Sequence, residues 1–242
     1  MVRVAALRRR INRGQHGHLN SGLTPKELMR EIHGRVKELN KSVSFLLANE
    51  LNIDHAKHGI QRVGWDSLSD SEKSELTEKF SSEILPILTP LAVDPAHPFP
   101  HISGLSLNLG ILVKQKNEEP RFVRVKVPSN LPRLIKISEN DDSYILQEDL
   151  MSEHLHLLLP GAHIEDWYFF RVTRNQDLDL DEDETEDLLS SMEEELLRRK
   201  FGIPVRLEVE SGIDQRLLDK LIEELEISPS DVIKSEPPLD QT

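Results

Sequence analysis

Apolar residues recur at three- and four-residue spacing from Pro25 to about His58, through Leu28, Ile32, Val36, Leu39, Val43, Leu46 and Leu47. That is the period of one face of an α-helix, and its start is marked locally. Thr24 suits an N-cap, Pro25 the first helical position, and Glu27 completes a capping box. Residues 1–13 read as a shorter, basic helix, joined to the long one by a loop of Gly, His, Asn and Ser. So few helices bury little common core, and the expectation is a bundle fragment that packs against further polypeptide.

Beyond Gly59 the pattern changes. A helix is expected from Ser69 to Leu85, with Leu76, Phe80 and Ile84 inward and Pro86 as its stop, followed by a connector containing Pro90, Pro95, Pro98 and Pro100. Leu105–Ile111 and Phe122–Val127 then alternate at period two, with a hairpin turn at Asn117–Glu119. Such alternation predicts one covered and one polar face. Later elements are a helix from about Gln147 to Leu159, after Tyr144-Ile145-Leu146, and an aromatic strand from Trp167 to Thr173. A helix from Glu182 to Arg199, a strand from Val205 to Val209 and a helix from Asp214 to Leu225 complete the run. The expected fold class is α+β: a helical N-terminal bundle fragment, residues 1–58, then an α+β domain with a largely antiparallel sheet, residues 59–232, and a truncated linker, residues 233–242.

Charge is unevenly spread. The net charge is -13, yet residues 1–60 hold 11 Lys/Arg against 5 Asp/Glu, and the rest is correspondingly more acidic, at -19. The acidic part repels nucleic acid and other polyanions. Arg3, Arg8, Arg9, Arg10 and Arg13 form a basic cluster with no carboxylate before Glu27. Two readings stand side by side, a solvated helix face and a polyanion contact; a third, an organellar transit peptide, is the least favoured. There is no cysteine, which excludes disulfides and thiolate metal sites, and no apolar run approaches membrane-spanning length. A cytoplasmic location is the expectation.

Candidate chemistry is sparse. Asp177, Asp179, Asp181 and Asp183 imitate a calcium loop, but Glu182 stands where a turn glycine is needed and Leu188 where a bidentate glutamate is needed. These carboxylates read better as the favourable first turn of the 182–199 helix. The pairs His16/His18 and His154/His156 lack a third ligand at convincing spacing, and the second pair, inside a helix, is expected to point apart. No metal site is assigned. Nor is there a phosphate-cradling glycine loop or a nucleophile elbow.

Four stretches in order, MVRVAALRRRI, EILPILTPLAVDPAHPFPHISGLSLNLGILV, FFRVTRNQDLDLDEDETEDLL and FGIPVRLEV, resemble the N-terminal part of the polyphosphate kinase family. The resemblance covers nearly the whole chain. It implies an ATP-polyphosphate phosphotransferase using ATP and Mg²⁺, with a helical N-terminal domain, a head domain contributing to the dimer, and two C-terminal domains carrying the phosphorylated histidine. None of the C-terminal motifs matches a position here, and the family's adenine-binding segment precedes the MVRVA-like stretch. No catalytic residue is therefore transferred. The chain is expected to be the remainder of the N-terminal domain plus the head domain, inactive alone, a homo-oligomer through the head domain with the aromatic strand as anchor, and without nucleic-acid partners. The alternative is a non-catalytic dimerising or partner-binding module. Polyphosphate affinity, on this reading, lies in the first 60 residues.

Overall fold

A computed structural model of the chain describes residues 2–93, 99–114, 120–138, 142–175 and 202–240. The helix expected over 182–199, the acidic positions Asp177 to Asp183 and the turn at Asn117–Glu119 lie outside those residues.

Two helices open the chain, α1 (Val2–Asn12) and α2 (Pro25–Leu46). The Thr24 hydroxyl accepts from the Glu27 amide, and the Glu27 carboxylate accepts from the Thr24 amide at 2.8 Å, the reciprocal capping box read from the sequence. The helical run continues to Lys57 with one adjustment, a π-helical turn at Leu47–Leu51 that leads into α3 (Asn52–Lys57). Gly59, at φ +81°, takes the left-handed conformation that ends such a helix at little steric cost, and β1 (Ile60–Arg62) follows. In α4 (Asp70–Lys79) Ser69 and Glu72 form a second capping box, and a π-helical turn carries the chain past Ile84. Leu76, Phe80 and Ile84 are buried as their spacing requires.

The remaining elements are β2 (Leu91–Val93), β3 (Leu107–Lys114), β4 (Arg121–Lys126), β5 (Leu134–Lys136), β6 (Asp142–Leu146), α5 (Gln147–Glu153) and α6 (Leu155–Leu158). After them come β7 (His163–Asn175), β8 (Ile203–Glu210), α7 (Gln215–Glu224) and β9 (Val232–Ser235). A six-stranded sheet runs in the order β2-β4-β3-β7-β8-β9, antiparallel throughout except for the parallel pair β8–β9. A smaller sheet, β1-β6-β5, contains one parallel pair. The fold is α+β with a largely antiparallel main sheet.

Both faces of that sheet are covered, which corrects the expectation of a polar face. On one side Leu107, Leu109, Ile111, Val123, Val125 and Phe169 pack with the α4 residues, the small sheet, α5 and α6. On the other, Leu112, Phe122, Phe170, Val172, Leu207 and Val209 pack under Leu217, Leu218 and Leu221 of α7. Alternation in β3 and β4 reports the first contact only, because α7 lies far along the chain. Gly110 belongs to the second: a Cβ there would meet Phe122 at 2.9 Å and Leu217 at 3.4 Å.

Residues 233–240 are not the linker expected of the chain's end. Ile233–Ser235 complete β9 beside β8, and Leu239 is buried in the first core. Arg133 donates to the Leu239 and Asp240 carbonyls, fixing the segment to the head. Among the described residues no helix is long and apolar enough to cross a membrane.

Candidate anion-binding site

The five arginines singled out from the sequence do not act as one group. Arg3, Arg10 and Arg13 are exposed and Arg9 is half-buried, whereas Arg8 turns inward. Its guanidinium donates to the carbonyls of Pro204 (2.6 Å) and Val205 (3.0 Å) and pairs with the carboxylate of Asp231. His33 of α2 reaches the other oxygen of Asp231 at 3.0 Å. Asp231 is 3% exposed, in the short turn before β9. Arg8 is therefore a fastener between the helical unit and the sheet edge, and it leaves the set of polyanion contacts.

The aromatic strand is likewise used internally. Phe169 and Phe170 alternate into the two cores, Trp167 packs edge-on against Phe169, and the Tyr168 hydroxyl donates to Asp166 at 2.9 Å. His154 and His156 do not point apart, as a continuous helix would require. The helix breaks at His154, between α5 and α6, and the two rings lie 6.0 Å apart. His154 is nonetheless a core residue. It stacks on Phe80 at 4.6 Å, its Nδ1 donates to the Leu150 carbonyl at 2.8 Å, and its Nε2 meets the Thr77 hydroxyl at 2.9 Å. Burial holds its pKa below the usual histidine range.

A different basic group emerges on the α7 side of the sheet. Arg124 of β4 stands opposite Gly110 of β3 and Leu91 of the edge strand β2, and is 7% exposed. Its Nε and Nη2 donate to a single acceptor, Oδ1 of the buried Asn108, at 2.8 and 2.6 Å. No carboxylate pairs with it among the described residues, and burial pushes its pKa down. Arg174, at the end of β7, donates to the carbonyls of Ile102 (2.6 Å) and Gly202 (2.8 Å) and is shifted the same way by burial. His101 feels the charge of both: its pKa is lowered by burial and then by Arg174 and Arg124. Lys126, exposed and two residues beyond Arg124, shares with it an open cleft lined by Thr89, Ser129 and Asn130. The chemistry on offer is positive charge with neutral donors, the equipment for binding an oxyanion.

Sequence reasoning missed Asn108, Arg124, Lys126, Arg174 and His101. The available signal was an arginine and an asparagine each flanked by strand apolar residues, at positions where alternation predicted a solvent face.

The model of the polyphosphate kinase middle domain matches residues 71–242. The chain belongs to the polyphosphate kinase family. A polyphosphate kinase of Streptomyces coelicolor is 44% identical over 243 residues, covering 100% of this chain and 32% of that protein. One from Mycolicibacterium gilvum is 41% identical, covering 97% of this chain and 33% of the other. The chain thus spans about a third of the curated relatives it matches. A crystal structure of polyphosphate kinase from Porphyromonas gingivalis shares the fold over 88% of this chain and 31% of that one, with a TM-score of 0.72 at 22% identity. The match to the middle domain therefore spans this chain's whole six-stranded sheet, Arg124 included.

Proposed function

We propose that this chain forms part of a polyphosphate kinase, an enzyme that transfers the terminal phosphate of ATP to polyphosphate through a phosphohistidine carried outside these residues. The observation that carries the reading is the 44% identity to a polyphosphate kinase across the full chain. On this reading the chain is scaffold and ligand-facing surface, not catalytic centre. On this reading the binding of ATP and Mg²⁺ belongs elsewhere in the enzyme, in keeping with a sequence that has no phosphate-cradling glycine loop. The reading assigns both to polypeptide beyond the chain, and a cytoplasmic location goes with it.

Self-association through the head domain belongs to the same proposal, without the aromatic strand as its anchor, since those rings are spent inside the subunit. A large apolar face is open elsewhere. Leu39, Val43, Phe45, Leu46, Leu51 and Ile53 are all exposed along α2, the π-helical turn and α3. Their exposure supports the view that further polypeptide packs on the helical unit.

The test is incubation of the purified chain with labelled ATP and Mg²⁺, with and without polyphosphate. The expected result is no labelled histidine and no polyphosphate formed; either product would overturn the scaffold reading.

A further inference from the structure

Apart from Arg174, which donates to two backbone carbonyls, the other arginines of the main sheet and the elements packed on it whose pairing is described each meet a carboxylate. Arg8 pairs with Asp231, Arg133 with Glu148, Arg171 with Asp240, Arg206 with Glu208 and Arg216 with Asp214. That is the ordinary outcome in a chain with 43 acidic residues and 30 basic ones. Arg124 is the deeply buried exception. It is 7% exposed, Asn108 supplies it one neutral oxygen, and its Nη1 makes no hydrogen bond among the described residues. A guanidinium withdrawn from water without a counter-charge is costly to the fold, and such a cost is kept where an anion supplies the missing charge.

Lys126 extends the argument. It lies two residues along β4 on the same face of the sheet, in register with Asn108, and has no ion-pair partner among the described residues. Residues two apart on a strand are about 7 Å from one another, so the two cationic groups bracket an extended anion instead of converging on one oxygen. The hydroxyls of Thr89 and Ser129 and the amide of Asn130 line the same cleft and add neutral donors. We propose that this cleft is a phosphoryl-anion site that seats consecutive phosphate units of a polyphosphate chain between Arg124 and Lys126. The guanidinium fork matches a phosphate bidentately, and Lys126 supplies a mobile point charge for the next unit. The site lies in the acidic part of the chain, not in its basic first 60 residues, because local desolvated charge outweighs a distant and solvent-screened net charge. The identity of the ligand as polyphosphate rests on the proposed function; the existence of an oxyanion site does not.

The test is calorimetric titration of the 242-residue chain with tripolyphosphate, and separately with orthophosphate, at low and high salt and without ATP. Tripolyphosphate is expected to bind at one site per chain, more tightly than orthophosphate, with an affinity that falls as salt rises. Arg124→Met is expected to weaken it by about tenfold or more. Because Arg124 is buried, Lys126→Ala serves as the exposed variant that leaves the core alone; it is expected to weaken binding by about threefold to tenfold. Replacing both Arg3 and Arg10 with Ala is expected to leave binding unchanged. Absence of binding by the wild-type chain, as when a carboxylate of the chain itself occupies the cleft, overturns the proposal. So does undiminished binding by Lys126→Ala and a folded Arg124→Met. Orthophosphate bound as tightly as tripolyphosphate overturns the polyphosphate assignment. Since no transfer is measured, each of these outcomes leaves the phosphotransferase reading standing or falling on its own test.

Discussion

Arg124 places two of its donors, Nε at 2.8 Å and Nη2 at 2.6 Å, on the one Oδ1 of Asn108, whose amide nitrogen is in turn held by the Ser106 carbonyl at 2.7 Å. The nitrogen contact fixes which way the amide faces, so Oδ1 is presented to Arg124 without a choice of rotamer. A neutral oxygen satisfies hydrogen bonds but not charge. The pair therefore stabilises the geometry of the guanidinium while leaving its electrostatic demand open.

The first consequence is an inequality between the two partners. Asn108→Ala removes the acceptor of a buried cation and is expected to cost about 2–3 kcal/mol. Arg124→Met removes the cation itself, keeps the apolar stem that packs in the sheet, and is expected to cost less or to stabilise. Urea unfolding midpoints of the two variants decide it. A larger loss from Arg124→Met than from Asn108→Ala would show that the guanidinium is a net stabiliser in the free chain.

What could be read from the sequence was local. Thr24 with Glu27 and Ser69 with Glu72 signal helix starts within four residues, and both capping boxes are present. The strands β3, β4, β7 and β8 were legible because several alternating positions share one core. The short strands β1, β2, β5 and β9 were not, because three or four residues carry no period and only the partner strand makes them extended. The burial of Asn108 and Arg124 was hidden for a related reason: the helix that covers their face, α7, enters from far along the chain. Arg8 looked like a surface residue until Asp231 and the β8 carbonyls were brought beside it.

That fastening gives the second prediction. Arg8→Ala leaves a 3%-exposed Asp231 with only His33 beside it and removes the donor to two β8 carbonyls. The expected loss is about 3 kcal/mol, against no more than about 0.5 kcal/mol for Ala at the exposed Arg3 or Arg10. Limited proteolysis should also cut the loop between α1 and α2 faster in Arg8→Ala. Equal stability of all three variants would place Arg8 among the solvated arginines.

The third prediction concerns pH. Asp149, in the first turn of α5, has its carboxyl raised to about 6, first by burial and then by the neighbouring Glu148 carboxylate, with Arg62 and Arg133 pulling the other way. The folded pKa thus exceeds the unfolded value of about 3.9, so the native state binds the proton more tightly. Stability from this group is greatest below about pH 4, declines as pH rises to about 6, and stays at its reduced level above that, a total change on the order of 3 kcal/mol. Burial also raises Glu153 and Glu210, giving a residual slope of the same sign. Asp149→Asn cannot ionise. It is expected to raise stability by about 1–3 kcal/mol near pH 7.5, to leave it nearly unchanged near pH 4, and to flatten the decline between. Denaturant midpoints of the two proteins across that range are the measurement, and a gain of equal size at both ends would mean that packing, not ionisation of Asp149, is what the substitution relieves.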